Sequence, residues 1–386
     1  MTSKEGSLTT SPAYSSEKIR IKSIALHSVR VPLVEPFRIS NGSVAIKEAV
    51  LIEVMTGGGV VGWGEASPMS GTFYSGDTPE SVWSSLKSSL IPAVVNSGEV
   101  DVTHFYEELR TQPGDPFAKA GLEGALWDAH AKTLGVSLCT VLGSQARPIP
   151  SGVAIGICDQ VADLLERVER YVGQGYQRVK IKIEPGWDLE PVAAIRAQFP
   201  SVPMTVDANA AYSISDAPMF RELEAYDLTM IEQPLAREAH ADAGELQKQL
   251  RTPLCADESA ESMEALSSLI KNRAARIINI KVQRVGGLSE AKLMLIAARA
   301  AGLECWVGTM PELGVASAQG LHLATMDGFS YPTDIEASTR WYIDDVISPQ
   351  IEIDSNGFIH LPEGPGTGYS VMRDKVEKYS VDSVTW

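Results

Sequence analysis

Five charged residues recur along this chain at nearly constant spacing: Lys182, Asp207, Glu232, Asp257 and Lys281. The intervals are 25, 25, 25 and 24 residues, and each residue ends a short run of apolar or β-branched residues. About 25 residues is what one strand, one helix and two loops occupy in a βα-barrel. Because the strand tips of such a barrel share one mouth, the spacing predicts that the five side chains form a single site.

The remaining pattern predicts an α/β fold in which eight strands alternate with seven helices. Apolar residues recur at helical spacing between the strand-like segments, for example over 161–172. No glycine-rich phosphate loop opens a helix, so a closed barrel fits better than an open sheet. The predicted strands are 152–157, 178–183, 203–209, 228–234, 253–259, 277–282, 304–310 and 329–335.

Around this barrel we predict three further parts. Residues 1–19 are rich in Ser and Thr and lack an apolar segment, which is typical of a disordered tail rather than a signal peptide. Residues 20–145 form an α+β unit, and the barrel occupies 146–345. The repeat ends there, and we expect 346–386 to return to the first unit.

The net charge and the cysteines indicate the cellular location of the protein and the classes of partner that it can bind. The formal net charge of −16 disfavours nucleic acid and anionic membranes. The sequence also lacks an apolar run of the roughly 18 residues that a membrane span needs. The cysteines form no CxxC pair, and Cys158, Cys255 and Cys305 lie in apolar contexts that predict buried free thiols. We therefore expect a cytoplasmic protein.

The three carboxylates predict a divalent cation site. Asp207, Glu232 and Asp257 end consecutive strands and offer only oxygen ligands, which suits Mg²⁺, with Mn²⁺ as a substitute. The alternative is that one or two of them are salt-bridge partners of the lysines. Side chains two residues apart share a strand face, so Asn209 accompanies Asp207 on the face toward the barrel axis.

The two lysines predict proton transfer on a small-molecule carboxylate. Lys182 and Lys281 lie on predicted strands 2 and 6, which are opposite each other in an eight-stranded barrel. A metal that holds a carboxylate stabilises the charge that develops as the neighbouring proton leaves. The lysines can then act as acid and base, with Lys180 as an electrostatic tuner of Lys182. This chemistry allows racemisation, epimerisation, dehydration or cycloisomerisation.

These residues resemble the enolase superfamily. The motifs are K-x-K at 180–182, D-A-N at 207–209, E-Q-P at 232–234, D-E-S at 257–259 and the lysine Lys281. They are similar to the branch that contains muconate cycloisomerases, dipeptide epimerases, o-succinylbenzoate synthases and N-succinylamino acid racemases. The resemblance covers about residues 20–370 and implies a capping domain over a (β/α)7β modified TIM barrel. It also implies Asp207, Glu232 and Asp257 as Mg²⁺ ligands, and Lys182 and Lys281 as the acid/base pair.

Three further stretches resemble the o-succinylbenzoate synthase/N-succinylamino acid racemase group: KIKIEPGWD at 180–188, Arg284 three residues beyond Lys281, and GPGTGY at 364–369. The implied activities are dehydration of a cyclohexadiene carboxylate in menaquinone biosynthesis, racemisation of N-succinyl or other N-acyl amino acids, or both. Ala154 departs from the group, which favours serine there.

Three alternatives stay open. A muconate-type cycloisomerase shares the same catalytic set. Asp334 and Glu336 resemble the acidic pair with which dipeptide epimerases bind a substrate ammonium group. A non-catalytic ligand-binding barrel is the alternative of another class, which the intact lysine–carboxylate set disfavours. Predicted strand 7 ends at 308–310 without a histidine, so the mandelate racemase and sugar-acid dehydratase branches fit poorly.

The substrate contacts should come partly from the capping domain. The loops 37–43 and 69–75 hold Gly, Ser and aromatic residues that suit a lid. The predicted substrate-binding or tuning residues are Lys180, Asn209, Arg284, Met310, Glu312, Phe37 and Tyr74. Barrels of this family often assemble, which leaves a homo-oligomer open.

Overall fold

The computed structural model describes residues 18–39, 42–70 and 75–386. Residues 1–17 of the predicted tail, and residues 40–41 and 71–74 of the predicted lid loops, including Tyr74, lie outside the described residues. The strands are β1 (Ile19–Ile39), β2 (Gly42–Thr56), β3 (Val61–Ala66), β4 (Glu99–Val100), β5 (Ile149–Pro150), β6 (Val153–Ile155), β7 (Val179–Lys182), β8 (Met204–Asp207), β9 (Met230–Glu232), β10 (Leu254–Ala256), β11 (Ile277–Ile280), β12 (Glu304–Val307), β13 (Ile347–Ser348), β14 (Phe358–Ile359), β15 (Ser370–Val371) and β16 (Ser380–Thr385).

Helices follow most of the barrel strands and form its outer layer. The helices of the described chain are α1 (Pro79–Ser85), α2 (Ile91–Ser97), α3 (Val102–Thr111), α4 (Pro116–Leu134) and α5 (Leu138–Leu142), which precede the barrel wall, and α6 (Val161–Gly173), α7 (Leu189–Gln198), α8 (Ala217–Leu223), α9 (His240–Gln249), α10 (Met263–Asn272), α11 (Val282–Val285), α12 (Leu288–Ala300), α13 (Gly314–Ala324), α14 (Ser338–Trp341) and α15 (Arg373–Tyr379). In the described part of the chain, no helix is both long enough and apolar enough to cross a membrane.

The N-terminal sheet has the order β16-β1-β2-β3, and β4 also pairs with β1. Its last strand comes from the far end of the chain, where Thr385 lies opposite Ala25 in an antiparallel ladder. The C-terminal residues therefore complete the first sheet.

Helix α4 packs very closely against β3 of this sheet. A Cβ at Gly64 of β3 would lie only 2.0 Å from the carbonyl oxygen of Gly121 of α4.

Seven parallel strands in the order β12-β11-β10-β9-β8-β7-β6 form the barrel wall. The predicted eighth strand, 329–335, is not a regular strand, although it closes the wall through single bridges. The amide of Gly152 donates to the Thr333 carbonyl at 2.8 Å, and the amide of Ser330 donates to the Cys305 carbonyl at 3.0 Å. Pro332 has no amide hydrogen to offer a ladder, which explains the irregularity. The predicted α/β barrel fold is confirmed.

The interior of the barrel has an apolar floor below a polar layer. Met230, Cys255, Ile277 and Trp306 form a buried cluster of inward-facing residues. The next inward residues toward the strand tips are polar, since side chains alternate along each strand. The floor excludes water from beneath the polar residues.

All four cysteines are buried free thiols, as predicted for three of them.

Candidate active site

The three predicted carboxylates meet at the tips of adjacent strands. Asp207 ends β8, Glu232 ends β9, and Asp257 directly follows β10. One oxygen from each lies within 4.8 Å of the others, and none of the three residues is more than 1 % exposed. Parallel strands bring their carboxyl ends to one edge, so the sequence spacing becomes a single cluster. This cluster could hold a metal ion.

Two buried amides orient the carboxylates. The backbone amide of Asn209 donates to Oδ1 of Asp207 at 3.0 Å, and the side chain of Asn279 donates to Oε1 of Glu232 at 2.8 Å. Gly308 leaves room for that asparagine, because a Cβ there would lie 2.1 Å from its Oδ1. The strand-end glycine is thus required by the carboxylate support.

Lys180 neutralises part of the cluster. Its Nζ lies 3.1 Å from Glu232 Oε2, 3.5 Å from Asp207 Oδ2 and 2.5 Å from Asp334 Oδ2. Burial alone would lower the pKa of Lys180, but the attraction of these carboxylates raises it well above its ordinary value. Burial, followed by repulsion from Asp207, raises the pKa of Glu232 to about 7. Lys180 thus offsets part of the negative charge of the carboxylates.

The two candidate acid/base lysines flank this cluster. Lys182 Nζ lies 2.5 Å from Asp207 Oδ2, and Lys281 Nζ lies 3.0 Å from Asp257 Oδ2. Their strands, β7 and β11, are separated in the sheet by β8, β9 and β10. The lysines thus stand at opposite ends of the carboxylate row. Ion pairs with the carboxylates, the alternative considered for these residues, are also present.

Arg284 is buried beside the cluster. Its Nη1 donates to Asp257 Oδ1 at 2.7 Å, and its Nη2 donates to the Asn279 carbonyl at 3.2 Å. It lies on the short helix α11 and is 6 % exposed. Arg284 and Lys281 therefore contact different oxygens of the same Asp257 carboxylate.

A cavity of about 420 Å³ opens above the lysines. Its lining residues are Phe37, Met69, Ala154, Lys180, Lys182, Lys281, Thr309, Met310, Pro311, Asp334, Glu336 and Trp341. Of the predicted substrate-binding or tuning residues that the structure describes, Lys180, Met310 and Phe37 line this cavity. Asn209, Arg284 and Glu312 do not line it. Asn209 donates to Glu258 Oε1 at 3.0 Å, and Glu312 lines a smaller adjoining cavity. Burial raises the pKa of Glu312 to about 7, against the attraction of Lys47.

Asp334 and Glu336 both face protein cations. Asp334 contacts Lys180 and Arg178. These two cations outweigh the effect of burial and lower the pKa of Asp334 to about 2. Glu336 accepts from the Ala154 amide at 2.7 Å and lies 3.3 Å from Arg340 Nε. Both acids are thus already paired within the protein.

Sequence reasoning missed Arg178, Arg340 and Trp341. Arg178 precedes Lys180 by two residues and shares its strand face, so the alternation that predicted one predicts the other. It is 1 % exposed and its guanidinium stacks 4.7 Å from the Trp306 ring. Arg340 and Trp341 follow the last predicted strand, where no periodic signal marks them.

Comparison with known proteins gives matches over both parts of the chain. Residues 21–143 match the mandelate racemase / muconate lactonizing enzyme N-terminal domain, and residues 163–375 match the enolase C-terminal domain-like family. An o-succinylbenzoate synthase from Geobacillus kaustophilus is 41% identical over 94% of this chain and 96% of that protein.

Two other relatives agree with this. An N-succinylamino acid racemase from Amycolatopsis sp is 37% identical over 95% of this chain and 99% of that protein. A solved enolase superfamily member from Listeria innocua Clip11262 has a TM-score of 0.91 and 34% identity, over 95% of this chain and 99% of that one. Sequence and fold thus point to the same family.

Proposed function

Because this chain belongs to the enolase superfamily, we propose that it removes a proton from the carbon next to a substrate carboxylate. One observation carries the proposal: Lys182 and Lys281 flank a buried three-carboxylate cluster and line the same cavity. A substrate in this cavity has an ammonium group at each end of the cluster. Either lysine can hold or move the proton at the reacting carbon.

The carboxylates Asp207, Glu232 and Asp257 would hold Mg²⁺, with Mn²⁺ as a substitute. A buried set of three carboxylates that offers only oxygen ligands suits these ions. When bound, the cation supplies stabilisation of the negative charge that develops on the substrate carboxylate. Lys180 contributes fixed positive charge at the same place.

The substrate class that we propose is that of the relatives. The two activities are formation of o-succinylbenzoate by dehydration and racemisation of N-succinylamino acids, the names that the relatives carry. Both begin with loss of the same kind of proton, so one lysine pair serves both. The protein's partners are then small-molecule carboxylates.

The cavity supports an uncharged acylated nitrogen rather than a free ammonium group. In a dipeptide epimerase the acids near the last barrel strand would have to attract a substrate cation. Here Asp334 contacts Lys180 and Arg178, and Glu336 contacts Arg340. A second ammonium would compete with these buried ion pairs, which costs several kcal/mol where a charge is left unpaired.

The purified protein with Mg²⁺ tests this proposal. We expect it to convert the cyclohexadiene carboxylate to o-succinylbenzoate, to racemise N-succinylphenylalanine, or both. L-Ala-L-Glu serves as the comparison substrate and should not be epimerised. The proposal would be contradicted if the protein epimerised the dipeptide but did not react with the cyclohexadiene carboxylate or with N-succinylphenylalanine.

A further inference from the structure

The pairing of strand β1 with β2 is interrupted at residues 33–36, and we call residues 33–38 the crossover segment. Pro32 lies opposite Ile46 of β2, and Phe37 lies opposite Val44. Four residues of β1 therefore face one residue of β2, so the ladder is broken between them. The segment instead reaches the barrel, where Leu33 bridges to Tyr342.

Phe37 is the part of the crossover segment that reaches the active-site cavity. It lines the cavity and packs edge-on against Trp341, with ring centroids 4.9 Å apart. The backbone beside it is also fixed, because the Ile157 amide donates to the Arg38 carbonyl at 3.0 Å. Gly156 permits this approach, since a Cβ there would lie 2.5 Å from that oxygen.

Just before Phe37, the segment has little apolar packing. A cleft of about 1000 Å³ lies beside it, and its lining includes Val34, Glu35, Tyr171 and Arg340. Val34 is 49% exposed. Between the buried side chains of Leu33 and Phe37, ion pairs therefore contribute to the attachment.

Glu35 supplies those ion pairs. Its Oε1 lies 3.1 Å from Arg167 Nη1 on helix α6 and 3.5 Å from Arg340 Nη1. The Arg340 guanidinium is held between two rings, 4.5 Å from Trp341 and 5.1 Å from Tyr171. A stacked guanidinium is a rigid partner that loses little side-chain freedom on pairing.

Arg340 also holds the opposite wall of the cavity. Its Nε lies 3.3 Å from Glu336 Oε2, and its Nη2 donates to the Ala154 carbonyl at 3.3 Å. Glu336 and Ala154 both line the active-site cavity. One buried guanidinium thus contacts the crossover segment on one side and the cavity wall on the other.

We propose that Glu35 and Arg340 are positioning residues that fix Phe37 over the substrate and so set the affinity for the substrate's distal group. The positioning role rests on the proposed function only for the substrate that is used in the kinetic test. Without the Glu35 charge, the crossover segment keeps its backbone contacts at both ends but loses its attachment to α6 and to Arg340. Phe37 then samples positions that do not close the cavity, which weakens binding without changing the lysines.

The test compares Glu35→Gln with Glu48→Gln. Glu48 pairs with Arg30 at 3.1 Å across β1 and β2, outside the crossover segment, and its side chain is 23% exposed against 29% for Glu35. Amide hydrogen exchange of residues 33–35, 37, 38 and 157 is measured without substrate, since Pro36 has no amide hydrogen. We expect exchange in Glu35→Gln to be about 3- to 10-fold faster than in wild type, as for loss of a partly buried ion pair, and unchanged in Glu48→Gln. Equal exchange in the two variants would overturn the proposal, whatever the substrate is.

Kinetics with N-succinylphenylalanine separate positioning from a general structural effect. We expect KM to rise about 3- to 10-fold in Glu35→Gln with kcat within about twofold of wild type. A double-mutant cycle combines Glu35→Gln with Phe37→Ala. The increase in KM of the double variant should be smaller than the two single increases predict, because both changes act on the same ring. A fall in kcat alone, or strictly additive KM effects, would show that Glu35 does not act through Phe37. Arg167→Gln, which removes the other partner, should give the same direction with a smaller change.

Discussion

The guanidinium of Arg284 donates to Oδ1 of Asp257 at 2.7 Å. The other oxygen of this carboxylate lies 3.0 Å from Nζ of Lys281. Arg284 therefore reaches the candidate base through a shared carboxylate, not as an exposed loop residue. Without the arginine, Asp257 keeps Lys281 as its remaining cation among these two. The attraction between Asp257 and the Lys281 ammonium is then stronger.

Arg284→Gln should consequently harm racemisation more than dehydration. Racemisation needs both lysines to exchange protons, whereas dehydration can use one as base and the other as a stabilising cation. We expect racemase kcat/KM to fall at least about tenfold more than synthase kcat/KM, within the 10²–10⁴-fold range for general acid–base catalysis. The measurement is kcat/KM in both assays, with Arg276→Gln, at an exposed position directly before β11, as the control. Equal losses in the two assays would reject this role.

Chelation should abolish turnover, because the three carboxylates are proposed to hold the cation. EDTA should remove activity, and Mg²⁺ or Mn²⁺ should restore it. Glu232→Gln should reduce kcat by at least about 10²-fold, as for loss of one electrostatic stabiliser. Full activity in metal-free buffer is the result that would contradict the site.

A readout without catalysis accompanies that experiment. Mg²⁺ should raise the Tm of the wild-type protein, since a ligand that binds only the folded state stabilises it. The Tm of Glu232→Gln should respond much less. Glu245→Gln, on the exposed face of α9, should respond like the wild type.

The sequence predicted the strand-tip residues because they follow from two regular periods. The interval of about 25 residues places Asp207, Glu232 and Asp257 at one edge, and the two-residue alternation turns Lys180 inward. Both rules depend only on backbone geometry. The family resemblance then supplied the chemistry.

Contacts made by irregular segments could not be predicted in this way. The segment 329–335 carries Pro332 and forms only bridges, so no periodic rule placed Asp334 beside Lys180. Phe37 was predicted as a lid residue, and Pro32 and Pro36 bracket the break in the β1–β2 ladder, but they do not indicate that the break carries Phe37 to the cavity. Glu312 was predicted as a substrate-binding or tuning residue, and its side chain lines the adjoining cavity.

His322 should make the fold sensitive to acid. The Cys139 amide donates to its Nδ1 at 3.1 Å, so its Nε2 donates to the Thr367 carbonyl at 3.0 Å. Burial lowers the pKa of His322 from 6.5 to about 4. Below pH 6.5 the unfolded chain therefore binds a proton that the folded chain does not, and stability falls as the pH drops toward 4.

Urea unfolding at pH 7 and pH 5 measures this effect. Between these values the free energy of unfolding should fall by about 2 kcal/mol more in wild type than in His322→Gln, from the linkage of one such group. Other titrating groups act on both proteins and cancel in the comparison. An identical pH dependence would show that the buried imidazole is not the cause.

Lys182→Ala and Lys281→Ala should each abolish racemisation while leaving proton exchange with one enantiomer. The two ammonium groups contact opposite ends of the carboxylate row, at Asp207 and Asp257, so each should reach one face of the reacting carbon. In deuterated solvent, the wild type should introduce deuterium at the α-position of both enantiomers of an N-succinylamino acid. Each variant should lose exchange with one enantiomer by more than about 10²-fold and retain it with the other, as expected for loss of one positioned base. NMR on both pure enantiomers is the measurement, and Lys248→Ala on exposed α9 is the control. If either variant exchanges both enantiomers at wild-type rates, that lysine is not a base.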